Sequence, residues 1–152
     1  VSTVHRLEES LALVFLAIAT TMVFISGISR FLGQPLGWSI DLATFCFAWA
    51  VFLGADVAFR QDRHVSVEIF VQRLSKPWQR AIKLFNLCLI ALFLLALLVY
   101  GLEMTYATRF RTFQGIPELS YAWVTLSVPV GSLLLLITTV GKIRQLLKEN
   151  PA

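Results

Sequence analysis

The chain has 152 residues, of which 57% are hydrophobic and only 14% charged, with a net charge of +4. Average globular usage is roughly 45–50% apolar and about 25% charged, and a small soluble domain has too much surface relative to its volume to hide such an excess. The composition therefore excludes an ordinary soluble domain and points to a chain whose solvent is a bilayer. The 13 Lys and Arg residues sit at the ends of apolar runs rather than on one stripe. They read as orientation signals and not as a nucleic-acid footprint.

Ser10 to Ser29 carries no charge. At about 1.5 Å per residue such a run reaches the hydrocarbon thickness of about 30 Å, which predicts a first span over 10–30. Ala17-Ile18-Ala19 looks like a cleavage site, but the run is too long for a typical signal-peptide core. The preceding Arg6, Glu8 and Glu9 do not form a positive leader, so the expectation is a retained span. Gly33, Pro35 and Gly37 then break the chain.

A second span is predicted over 39–60. Its uncharged core, Leu42 to Ala55, is short, so Asp56 must lie within the last turns of the helix. Asp56 precedes Arg60 by four residues, the favourable helical order for an ion pair, and Arg60 can snorkel to the interface. The pair is expected to be structural and interfacial, with Asp41 as a charge or cap at the other end. An intramembrane carboxylate is also a candidate proton or ion relay. Phe45, Trp49 and Phe52 share one helical face at spacings of three or four, a face for lipid, for packing inside the bundle or for a partner helix.

The stretch from Arg60 to Lys83 is the most polar. Within it Val67, Phe70, Val71, Leu74 and Trp78 recur at helical spacing opposite a basic face, which predicts an amphipathic interfacial helix over 65–76. Pro77 is expected to limit it. A third span is predicted over 82–103 and a fourth over 118–142, kinked where Pro129 frees the carbonyl of Thr125. The fold class is thus all-α: one integral membrane domain over 1–152 with four transmembrane helices and an interfacial helix between spans 2 and 3.

With four spans, the termini and the middle loop share one side. That side holds Arg6, the six cations between Arg60 and Lys83, and Lys142, Arg144 and Lys148; the other holds only Arg30, Arg109 and Arg111. The positive-inside bias places both termini in the cytoplasm. Cys46 and Cys88 then lie at depths differing by on the order of 10 Å, beyond the roughly 7 Å that a disulfide allows. Two free, buried thiols are expected.

His5 and His64 are the only histidines and both lie outside the spans, so histidine ligation of a haem between the helices is excluded. No spacing suggests a zinc site, and there is no phosphate-binding loop or dinucleotide fingerprint. The sequence offers no nucleophile–base pair. An enzyme, a cofactor and a metal are therefore not expected.

The segment WSIDLATFCFAWAVFLGADVAFRQDRHVSVEIFVQRL, Trp38 to Leu74, resembles the small membrane subunit (DctQ-like) of tripartite ATP-independent periplasmic (TRAP) transporters. The core of the likeness is Trp49, Phe52-Leu53-Gly54-Ala55, Ala58, Arg60, His64-Val65 and Val67-Glu68. Gly115-Ile116-Pro117, Trp123 and Val128-Pro129-Val130-Gly131 extend it. The chain departs from the family at Asp56, where a small apolar residue is usual, and at Glu68, where Asp is usual.

The resemblance implies an inner-membrane scaffold subunit of a secondary transporter. Its partners would be a large twelve-span membrane subunit that carries the substrate and ion sites, usually for sodium, and a periplasmic binding protein that delivers organic acids. Phe45, Trp49, Phe52, Gly54, Phe70, Leu74 and Pro129 are the candidate contacts to the partner subunit or to lipid. The competing expectation is an independent, proton-coupled homodimeric transporter working through Asp56.

Overall fold

A computed structural model describes residues 2–60 and 75–148. It contains α1 (Ser2–Phe31), α2 (Gly37–Arg60), α3 (Lys76–Ala107), the short α4 (Ala122–Thr125) and α5 (Ser127–Lys148). Among the described residues, four segments are long and apolar enough to cross a membrane: Arg6–Phe31, Gly37–Arg60, Trp78–Ala107 and Ala122–Lys148. The protein is an all-α integral membrane protein. The interfacial helix expected over 65–76, with Phe70 and Leu74, falls largely outside the described residues.

The helices extend past the uncharged runs, because backbone hydrogen bonding continues where the side chains turn polar. α1 spans 30 residues, about 45 Å at helical rise, and includes Arg6, Glu8 and Glu9 in its early turns. It ends in a Schellman motif. Gly33, at φ 79°, takes the left-handed position, Gln34 N–H donates to Ser29 and Gly33 N–H to Arg30. At the start of α3, Ser75 is extended, with ψ 148°, and Pro77 lies in the first helical turn, where its missing N–H leaves nothing unsatisfied.

The fourth span is α4 and α5 joined through Leu126. The interruption lies one turn before Pro129, which deprives the Thr125 carbonyl of its helical donor. Helical bonding resumes on either side, with Leu126 N–H donating to Ala122 and Val130 N–H to Leu126.

α1 packs on α2, α2 on the fourth span, and the fourth span on α3. A closed four-helix bundle would also bring α1 against α3, and no such packing is a principal contact here. The spans therefore form a row in the order 1-2-4-3, a single layer with two broad apolar faces.

Within lipid the helices gain little from apolar burial against one another, so small residues and polar contacts must hold them. The seams follow that rule. α1 buries Ala12, Ala19 and Ser26, spaced by seven, against a stripe of α2 that includes Ser39, Ala43, Cys46 and Ala50. A side chain at Gly131 of α5 would run into Phe52 of α2, and one at Gly101 of α3 would lie 3.0 Å from Pro129.

Both cysteines are free, as expected, but only Cys46 is buried; Cys88 is exposed. The physical reason is the layer. α3 lies at its edge and buries only Leu94 and Gly101 among its described side chains, so the remainder of its circumference, Cys88 included, faces outward.

Candidate functional site

Buried polar residues occur at both ends of the layer, but its inward-facing charges gather at the end that carries the termini. Asp56, one turn before the end of α2, is 1% exposed. A carboxylate taken out of water is costly unless it is paired and hydrogen-bonded, and both conditions are met. Its Oδ1 accepts a hydrogen bond from Thr138 Oγ1 of α5 at 2.8 Å, and its Oδ2 meets the Arg60 guanidinium.

Arg60 brings three helices together. Its Nη1 lies 2.9 Å from Glu8 Oε2 of α1, and its Nε donates to Thr138 Oγ1 at 3.2 Å. Arginine suits the position because its rigid fork presents several donors and stays charged. Beside the cluster, Lys142 Nζ of α5 donates to the Phe59 carbonyl at 2.7 Å and sits 4.7 Å above the Phe59 ring. At the adjoining seam, Arg80 of α3 donates to the carbonyl of Leu146, near the C-terminus of α5, at 2.7 Å.

The i,i+4 pair read from the sequence is therefore present, but its charges face inward. Arg60 is directed to Glu8 and Thr138 within the layer, and its side chain is 23% exposed.

At the opposite end, residues 108–121 fold back over the start of α2. A single bridge joins Thr112 and Ser120, and Phe113, 5% exposed, packs at a tilt against Tyr121 with ring centroids 5.0 Å apart. Gly115 N–H donates to Asp41 Oδ2 at 2.7 Å. The backbone approach is so close that a Cβ at Gly115 would lie 2.6 Å from Trp38 Cα. Only glycine admits that contact. Asp41 thus ties the loop to α2.

The aromatic face of α2 is used between helices. Phe45 meets Phe15 of α1 edge-on at 6.3 Å, Trp49 Nε1 donates to the Trp123 carbonyl at 3.2 Å, and Phe52 abuts Gly131. Pro129 is buried against Gly101. Gly54 differs from these: nothing in the described chain occupies the space where its Cβ would project. Phe70 and Leu74 lie outside the described residues.

Sequence reasoning did not find Glu8, Thr138, Lys142, Gly101 or Gly131 as contact residues. Small residues inside apolar runs mark close helix approach and offered a signal for the two glycines. Glu8 shares a membrane side with Arg60 by topology, which made it a candidate counter-charge. Thr138, an isolated hydroxyl in an apolar run, gave none.

These features define a multi-pass membrane protein whose buried polar groups fasten one helix to the next and leave two apolar faces open. The chain matches the DctQ component of tripartite ATP-independent periplasmic transporters over residues 11–149 and belongs to that family, the small permease subunits of TRAP transporters. Its relatives agree. It is 30% identical over 146 residues to a TRAP transporter small permease protein of Haemophilus influenzae, covering 90% of this chain and 89% of that one. It is 24% identical over 147 residues to the sialic acid TRAP transporter small permease protein SiaQ of Vibrio cholerae, covering 95% and 84%. It is 32% identical over 111 residues to the C4-dicarboxylate TRAP transporter small permease protein DctQ of Pseudomonas aeruginosa, covering 70% of this chain and 52% of that protein. The family is a transporter component, not an enzyme, and membership implies association with a large membrane subunit and a periplasmic binding protein.

Proposed function

We propose that this chain is a static scaffold that holds the large, twelve-span subunit of its transporter in the bacterial inner membrane, with both termini cytoplasmic. The complex takes up organic acids, brought by the periplasmic binding protein, with an ion gradient, sodium in the first instance. The observation that carries the scaffold reading is the single layer. A solute path near the midplane calls for discontinuous helices and polar lining, whereas the polar side chains described here join neighbouring helices at the layer's two ends. Support for a carboxylate substrate comes from two relatives, whose names specify sialic acid and C4-dicarboxylates. The asymmetry of Lys and Arg between the two sides supports the orientation.

Gly54 is the strongest candidate for a partner contact on α2, since small residues admit a second helix and none of the described residues fills its open side. The interfacial helix over 65–76, through Phe70 and Leu74, is the second proposed contact.

The test is uptake into sealed vesicles that contain the large subunit, with the binding protein outside. Uptake is expected only when this chain is present, and full uptake without it would overturn the scaffold reading. The competing homodimeric transporter requires an Asp56 that exchanges protons. The Arg60 and Thr138 contacts favour a fixed, structural carboxylate instead.

A further inference from the structure

Among the described residues, α1 and α2 are joined by polar side chains at one end. Glu8 and Arg60 tie them where the termini lie, and among the described residues no side-chain hydrogen bond or ion pair joins them toward the Gly33–Gly37 turn. There the seam opens into a groove of about 410 Å³, lined by Leu16, Ala19 and Val23 of α1 and by Ile40, Ala43 and Phe47 of α2. Ala19 and Ala43 form its floor, 4% and 3% exposed, while Phe24 and Phe47 stand at its rims, 68% and 56% exposed.

The face of α1 that lines the groove runs on toward the Gly33–Gly37 turn. Residues 16, 20, 23, 27 and 30 recur at spacings of four and three and so share one face. Gly27 leaves that face open, with nothing within 4 Å of a Cβ placed there. Arg30, exposed and in the last turn of α1, stands above the opening. It is about 10 Å beyond Val23 and about 21 Å from Leu16 along the helix, more than one leaflet of a hydrocarbon core about 30 Å thick.

We infer that this groove is a phospholipid site. One acyl chain lies between α1 and α2 over Ala19 and Ala43, and the lipid phosphate sits on Arg30. The charge is complementary: a guanidinium matches phosphate geometry and stands at the depth where headgroups lie.

The groove's own polar groups favour a lipid over a partner helix. Thr20 Oγ1 donates to the Leu16 carbonyl and Thr44 Oγ1 to the Ile40 carbonyl, each at 2.8 Å. Both hydroxyls give their one proton to their own helices, and the walls otherwise present aliphatic and aromatic carbon. Helices that associate in lipid use hydroxyls across the interface, while an acyl chain asks only for apolar contact.

The experiment is native mass spectrometry of the full chain, purified in detergent and offered vesicles of phosphatidylethanolamine and phosphatidylglycerol, together with cross-linking to a phospholipid bearing a photoreactive acyl chain. One phospholipid is expected to survive delipidation, with cross-links on α1 and α2 around Ala19 and Ala43. Arg30→Gln removes a charge-assisted bond and is expected to lower retention roughly tenfold. Gly27→Phe, whose Cβ meets nothing within 4 Å, is expected to abolish the cross-links while circular dichroism stays unchanged. Equal retention by wild type and both variants would overturn the site. So would a photoreactive residue at position 20 that cross-links the large subunit, and not lipid, in the assembled complex. Neither readout depends on transport, so failure of the scaffold reading leaves this result separately legible.

Discussion

Arg60→Met and Asp56→Asn both break the same ion pair, yet the structure predicts very different costs. In Arg60→Met the Asp56 carboxylate stays in a site where it is 1% exposed and keeps only the Thr138 hydrogen bond. Removing one partner of a buried pair destabilises by about 3–5 kcal/mol, because an uncompensated charge is left behind. In Asp56→Asn the amide oxygen still accepts from Thr138, and Arg60 keeps Glu8. The loss is then about 1.5–3 kcal/mol, the contribution of one hydrogen bond to a charged group. The double variant Asp56→Leu with Arg60→Met removes the orphaned charge and should be less destabilising than Arg60→Met alone. The difference from the sum of the single variants measures the coupling. The assay is reversible unfolding of the purified chain in mixed micelles, followed by tryptophan fluorescence against the mole fraction of dodecyl sulfate. The burial argument is refuted if Arg60→Met is no less stable than Asp56→Asn, or if the double variant is as unstable as the sum of its parts.

Gly115→Ala brings a methyl group against the backbone of Gly37 and Trp38; a loss of about 1–3 kcal/mol and faster proteolysis of the 108–121 loop are expected in sealed vesicles that expose it. Gly131→Ala should be destabilising by a similar amount, and Phe52→Leu should not rescue it, because the Phe52 Cβ, which leucine retains, is itself in the way. Gly54→Ala should leave the isolated chain as stable as wild type or up to about 1 kcal/mol more stable, as a better helix former facing open space. Gly54→Leu should reduce co-purification with the large subunit while Gly54→Ala serves as the stability control; undiminished assembly would remove Gly54 from the interface. Phe70 and Leu74 replaced together by Asp should weaken membrane docking of the segment or assembly, read by co-purification and by uptake.

The spans were legible because the bilayer imposes one requirement on every residue at its depth, and an uncharged run of sufficient length records it directly. The interruption of the fourth span at Leu126 was legible for a similar reason, since Pro129 acts on Thr125 through covalent geometry alone. The Asp56–Arg60 pair lay within reach of a local rule. What the sequence withheld is contact across large separations. Thr138 binds Asp56 from 82 residues away, and Gly115 reaches Asp41 from 74. Nothing near either residue encodes its partner. The helix ends were also hidden, because hydropathy reports where lipid is and not where the backbone ladder stops; α1 and α3 continue beyond their apolar runs for that reason. The exposure of Cys88 followed from the row order of the spans, which an apolar run common to all of them does not specify.

The seams of the layer also differ in how they are held. α2 is tied to the fourth span by Asp56 and Thr138, by Lys142 on the Phe59 carbonyl, and by Trp49 on the Trp123 carbonyl. The fourth span is tied to α3 at both ends, through Arg80 on Leu146 and through Thr108 and Thr125, whose hydroxyls lie 2.9 Å apart. Because apolar burial gives helices no preference for one another in lipid, such ties decide which seams are rigid. α2, α3 and the fourth span are fastened at several points, while among the described residues the polar tie between α1 and α2 is at Glu8, with small-residue packing above it. The side-chain ties described here thus concentrate in the three-helix portion formed by α2, α3 and the fourth span. The groove lies in the α1–α2 seam beyond Glu8, and a lipid chain seated there would add apolar contact where polar ties are sparse.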